Sequence, residues 1–114
     1  MHEYSITTSI INILDKIIKE KSLTRVERVD FEINRFSSIE PQSIKFYFDF
    51  LTREHKVLKN AKLKFLKPGI KIKCSSCGNA YKVKSLPAVC PACLSFNSIN
   101  ADIDDIKIKT ILAD

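Results

Sequence analysis

The chain has 114 residues, 45% of them hydrophobic and 28% charged, which excludes a disordered or fibrous protein and leaves room for one modest domain with at most a small appendage. Lys and Arg outnumber Asp and Glu by 19 to 13, a formal charge of +6, so an acidic protein or a nucleic acid suits the surface. No apolar run approaches the roughly 20 residues that cross a bilayer, and the start Met1-His2-Glu3-Tyr4 lacks an export signal's charged-then-apolar pattern, so a cytoplasmic protein without a membrane anchor is expected.

Over residues 5–21, Ile6, Ile10, Ile13, Leu14 and Ile17 recur at steps of three and four, the spacing that gathers them on one side of a helix. Val29, Phe31 and Ile33 alternate with Asp30 and Glu32 and predict a half-buried strand over residues 26–34. Pro41, with its fixed φ and missing N–H, suits the first position of a second helix; Ile44, Tyr47, Phe48 and Leu51 continue it on one face towards Arg53. Ala61, Leu63 and Phe65 alternate with Lys62 and Lys64, a second strand ended by Lys67-Pro68-Gly69. Ile70 and Ile72 lead into the first cysteines, residues 95–105 read as polar and irregular, and Ile106 and Ile108 alternating with Lys107 and Lys109 give a last strand.

An isolated strand leaves half its backbone groups unpaired, so the last one is expected to return to the sheet of residues 26–34 and 61–66. The expected fold class is α+β: a small mixed sheet with two helices, built from residues 1–68 and 101–114, with a zinc-ribbon module inserted over residues 69–100.

All the cysteines lie in Cys74-Ser75-Ser76-Cys77 and Cys90-Pro91-Ala92-Cys93, with twelve residues between the pairs. Two such turns supply a tetrahedral sulfur shell, which suits zinc because thiolates are soft ligands and the d¹⁰ ion imposes no geometry of its own. Two disulfides are disfavoured without an export signal, and a redox Cys-x-x-Cys has no need of a second copy at ribbon spacing. Sulfur ligands in all four positions leave no place for water or substrate, so the zinc is structural. With four thiolates and one divalent ion the net charge falls to about +4.

The histidines are His2 and His55. A bulky second residue hinders removal of the initiator, so Met1 is expected to stay. That puts an amine, a backbone amide and the His2 imidazole within reach of one ion, a nitrogen-rich set suited to planar Ni(II) or Cu(II), and Glu3 could add a carboxylate or its own amide. The default for such a terminus is a solvated histidine. His55, in Arg53-Glu54-His55-Lys56, reads as a helix-end residue facing the negative end of the dipole.

Met1-His2-Glu3-Tyr4-Ser5, Ile39-Glu40-Pro41 with Ile44-Lys45-Phe46-Tyr47-Phe48, the two cysteine pairs and Ile106-Lys107-Ile108 together resemble the HypA/HybF family of nickel metallochaperones over essentially the whole chain. The resemblance implies a transferable nickel ion on His2, the Met1 amine and neighbouring backbone, and a structural zinc on Cys74, Cys77, Cys90 and Cys93. It also implies a role in maturing [NiFe] hydrogenase, so that a HypB-type GTPase and the hydrogenase large-subunit precursor are expected partners. In some organisms delivery extends to urease, through a urease accessory protein. The oligomeric state expected is a monomer or weak homodimer.

A small basic nucleic-acid-binding ribbon protein is the competing reading, favoured by lysines such as Lys62, Lys64, Lys71 and Lys82. Only Tyr81 and Phe96 offer stacking rings in the module, and lysines alternating on a strand ordinarily form its solvated face, so nucleic acid is the weaker expectation. There is no Gly-rich phosphate loop, no nucleophile–base pairing and no open zinc site, so an enzyme is not expected.

Overall fold

The computed structural model describes residues 2–99 and 106–114. In chain order these form α1 (His2–Lys21), β1 (Val26–Ile33), α2 (Pro41–Leu51), β2 (Lys62–Leu66), β3 (Ile70–Lys73), β4 (Ala80–Val83), β5 (Ala88–Val89), β6 (Phe96–Asn97) and β7 (Ile106–Ala113). Helix α1 begins at His2, three residues before the apolar repeat indicates. A first turn need bury nothing, and Glu3 there faces the positive end of the helix dipole. The helix stops where Ser22 turns to φ 52 and the Leu23 N–H donates to Ile18 O at 3.0 Å, the six-to-one bond of a Schellman motif.

Strand β1 is the centre of a three-stranded sheet ordered β2-β1-β7, parallel to β2 and antiparallel to β7. The last strand therefore returns to the first sheet, as the need for backbone partners requires. Val29 stands between Leu63 and Ile111, and Phe31 between Phe65 and Ile108. The Phe31 and Phe65 rings stack at 5.2 Å. Register shifts near Glu27 and Lys109 re-phase the β1–β7 ladder, which lets Ile108 and Ile111, three residues apart, both pack on the core.

The helices close that core from one side. Ile10 and Leu14 of α1 and Ile44 and Phe48 of α2 are buried with Val29, Phe31 and Ile33, each large side chain contributing about 1.5–3 kcal/mol. The buried hydroxyls satisfy themselves on carbonyls one turn back: Thr7 Oγ1 donates to Glu3 O at 2.6 Å and Thr52 Oγ1 to Phe48 O at 2.7 Å. Pro41 occupies the start of α2, as expected, but the helix ends at Leu51, short of Arg53. Two ties join the starts of the helices: the Glu40 N–H donates to Glu3 Oε2 at 3.3 Å, and Tyr4 meets Tyr47 edge-on at 5.4 Å.

Between β2 and β7 the chain makes two small antiparallel pairs, β3 with β4 and β5 with β6. Of these β3 and β4 show alternation in the sequence, Ile70 and Ile72 with Lys71 and Lys73, and Tyr81 and Val83 with Lys82 and Lys84. The described residues span 54 × 28 × 17 Å, an elongated outline.

Candidate metal centre

Each cysteine pair sits on a backbone loop that repeats the same hydrogen bonds. In the first, Gly78 N donates to Cys74 O (2.9 Å) and Cys74 N to Asn79 O (2.8 Å); in the second, Leu94 N donates to Cys90 O (2.8 Å) and Cys90 N to Ser95 O (2.9 Å). Both turns need a left-handed residue just after the second cysteine. Gly78 supplies it at φ 77 without penalty, whereas Leu94 adopts φ 64 with its side chain 71% exposed.

The loops aim the sulfurs of Cys74, Cys77, Cys90 and Cys93 at one point, all within 4.8 Å of one another. Cys74–Cys93 and Cys77–Cys90 each stand 3.6 Å apart, far beyond the roughly 2 Å of a disulfide. At a zinc–sulfur distance of about 2.3 Å, a tetrahedron has edges of about 3.8 Å. The arrangement is consistent with a zinc site, and sulfur in all four positions leaves no open one for catalysis.

Donors around the cluster spread the sulfurs' charge. The Ser76 N–H points at Cys74 Sγ (3.4 Å), Asn97 Nδ2 at the same sulfur (3.6 Å), and Asn79 Nδ2 at Cys90 Sγ (3.8 Å). Asn97 is itself fixed: its Oδ1 accepts from the Ser75 N–H at 3.0 Å, and its Nδ2 donates to the Tyr81 hydroxyl at 2.9 Å. The backbone N–H of Cys77, with those of Ser76 and the Asn97 amide, outweighs burial and holds the Cys74 thiol down to about 6. Cys77 has a backbone N–H from Asn79 in its favour, yet burial and three neighbouring thiol groups push it up to about 12. Cys90 is lowered, because N–H groups of Cys93 and Ala92 and the neighbouring thiols overcome its burial. Four sulfurs packed this closely hold protons unequally until a cation balances them.

The other expected ligands lie at the opposite end of the sequence. Met1 and the side chain of His2 fall outside the described residues; the backbone of His2 opens α1. The Glu3 carboxylate takes the Glu40 N–H. His55 differs from expectation. Its Nδ1 accepts from the N–H groups of Val57 (3.2 Å) and Leu58 (3.1 Å), while Nε2 meets Asp15 Oδ1 at 2.7 Å. The ring caps its own turn and fastens it to α1, in place of facing the helix dipole.

Of the two rings a nucleic-acid reading required, Phe96 is 74% exposed, whereas Tyr81 is half-buried with its hydroxyl donating to Ala88 O at 3.3 Å. Sequence reasoning missed Asn79, Asn97 and Tyr81 as supports of the sulfurs. The position of Asn79 two residues after Cys77 was the one available signal, since Asn suits the turn there.

The family model described as hydrogenase/urease nickel incorporation, metallochaperone, HypA matches residues 1–113. Among curated proteins, the hydrogenase maturation factor HypA of Caldanaerobacter subterraneus subsp. tengcongensis is 34% identical over 93 residues, covering 82% of this chain and 81% of that protein. The HypA of Geobacter metallireducens is 31% identical over 111 residues, covering 97% of each. Among solved structures, one described as the solution structure of HypA protein superposes with a TM-score of 0.72 at 25% identity, over 99% of this chain and 96% of that one. The Ni metallochaperone HypA from Helicobacter pylori shares the fold, with a TM-score of 0.69 at 24% identity over 97% of this chain and 96% of that one. The chain belongs to the HypA family of nickel metallochaperones of hydrogenase maturation, accessory proteins and not enzymes.

Proposed function

We propose that this chain binds Ni(II) at its N-terminus and surrenders it during assembly of [NiFe] hydrogenase, while Cys74, Cys77, Cys90 and Cys93 hold a structural zinc. The observation that carries the reading is the family match from residue 1, which takes in Met1-His2-Glu3. The ligands proposed are the Met1 amine, the backbone amide and imidazole of His2, and a contribution from Glu3. The start of α1 supports this set: an amide at the first helical position lies outside the i→i−4 ladder, so its use as a ligand breaks no helical bond. The Glu3 carboxylate holds the Glu40 N–H and its carbonyl the Thr7 hydroxyl, so the backbone N–H is the part of Glu3 whose use as a ligand breaks no helical bond. The positive end of the helix dipole opposes a cation, which favours release to a better site.

Nitrogen donors suit nickel and the sulfur cluster suits zinc, so one chain can keep the two ions apart. The division proposed is a nickel-binding domain of residues 1–68 and 101–114 and a zinc module of residues 69–100. The partners proposed are a HypB-type GTPase and the hydrogenase large-subunit precursor, met in the cytoplasm, with a urease accessory protein where urease is also served.

Metal analysis of untagged protein tests the reading. The expected result is one tightly held zinc and one exchangeable nickel per chain, with His2→Ala losing the nickel and keeping the zinc. A residue added before Met1 turns the amine into an amide and should weaken nickel binding; an extended protein with undiminished affinity removes the terminus from the site. The free α-amine has an ordinary pKa of about 7.7–8.0, and its proton must leave before nickel binds, so affinity should fall as pH falls.

A further inference from the structure

Strand β2 is an edge of the sheet, so the outer row of its backbone N–H and C=O groups has no strand beside it among the described residues. That edge runs along α2 and forms a cleft of about 540 Å³ bounded by Arg35, Pro41, Lys45, Lys64, Phe65 and Lys67. Lys45 and Leu63 continue it into a second hollow of about 280 Å³ reaching Asp49 and Ala61. The floor is apolar where Leu63 and Phe65 turn inward. The larger hollow is bounded by four cationic side chains and no acidic one.

Edge lysines alone are a common guard against stray pairing, and Lys62 and Lys64 on the strand's outer face fit that role. They do not explain why Arg35 from the loop after β1, Lys45 from α2 and Lys67 from the turn after β2 converge on the same cleft. Arg35 also carries an unspent donor. It gives one N–H to Lys67 O at 2.6 Å, while its Nε, shielded from solvent, has no acceptor among the described residues.

We propose that the cleft between β2 and α2 is a docking groove for an extended acidic segment of a partner protein, which adds as a fourth strand beside β2. The main chain of that segment pairs with the open edge, its inward side chains rest on Leu63 and Phe65, and its carboxylates meet Lys45, Lys64, Lys67 and the Arg35 guanidinium. Five residues of β2 set the reach of the ligand at about 17 Å. None of the residues bounding the groove is a proposed ligand of either metal, so its test is separate from that of the nickel reading.

Titration of the zinc-loaded full chain with a synthetic heptapeptide alternating Glu and Val tests this. The expected result is chemical-shift change concentrated in residues 61–67 and 41–49, slowed hydrogen exchange at β2 amides, and binding that weakens with salt. The double variant K45E/K67E, at two exposed positions, should bind about tenfold or more weakly while keeping the amide dispersion of the parent. A peptide with Lys in place of Glu should not bind, nor should one with Pro at alternate positions, which cannot donate to the edge. Equal binding of the Pro peptide or of a single-stranded oligonucleotide would overturn strand addition in favour of a plain anion site. Shift changes confined to other surfaces would overturn the groove itself.

Discussion

His55 shows how one side chain serves two elements. Its Nδ1 accepts from the amides two and three residues ahead, the pattern by which an Asn or Asp oxygen caps a turn. Replacing it by Ala leaves two donors near the core unsatisfied beside the buried Leu58, a loss of about 1–3 kcal/mol. His55→Asn restores an acceptor at the right reach and should recover a large part of that loss. The bond to Asp15 is partly exposed and adds less than about 1 kcal/mol. Urea unfolding of both variants checks the order; equal destabilisation would show that capping is not the ring's main role. Leu94 offers the opposite test. It holds a left-handed backbone while its side chain is largely in water, so Leu94→Gly should relieve about 1 kcal/mol and tighten zinc binding about fivefold in chelator competition. Unchanged or weaker binding would show that the leucine side chain does something its exposure hides.

Among the elements, those carrying a long apolar period were legible from the sequence and the short ones were not. Ile10, Leu14, Ile44 and Phe48 marked both helices, and Val29, Phe31 and Leu63 marked two strands, because each buries one face and its repeat records that burial. Strands of two residues such as β5 and β6 are too short to show a period; they are held by the loops around the cysteines. The end of α2 is hidden for a related reason: the backbone leaves the helix at Thr52, at φ −105 and ψ 10, where both the amide and the hydroxyl donate to Phe48 O, and this leaves no hydropathy signature. The cysteine spacing revealed the sulfur cluster, but its asymmetry needed coordinates. With Cys74 held at about 6 in the folded loop, its thiolate favours the folded over the unfolded ribbon fully above the ordinary thiol value of 9.0, and that contribution is lost as pH falls through about 6. Cys77, pushed up to about 12, keeps its proton at neutral pH until a metal displaces it. Zinc affinity should therefore fall on acidification and fall more steeply below about 6, where Cys74 also rebinds a proton. Chelator competition across that range reads the slope, and a flat profile would be incompatible with thiolate ligation.

For the molecule as a whole, the decisive connection is that the ribbon is spliced into a sheet. β7 follows the ribbon in sequence yet pairs with β1, which precedes it, so the segment between Leu66 and Ile106 closes a loop across the main domain. The ribbon's own strands are too short to bury a core, and its order should depend on metal, at about 10 kcal/mol or more for structural zinc. The main domain has its own buried cluster from α1, α2, β1 and β2 and should survive zinc removal. The coupling between them is the entropy of the loop. When the ribbon melts, a closed segment of about forty residues becomes flexible, and since each doubling of effective length costs about 0.6 kcal/mol, the main domain should lose about 1 kcal/mol. For a domain of this size that lowers Tm by about 4–8 °C. Stripping zinc should thus collapse the amide dispersion of residues 74–93, leave the helical circular dichroism nearly intact, and shift the main melting transition by a few degrees. Loss of the whole fold on chelation would mean that the ribbon nucleates the sheet. Persistence of ribbon dispersion without metal would mean that its hydrogen-bonded loops, and the Asn97–Tyr81 contact above all, are enough to hold it.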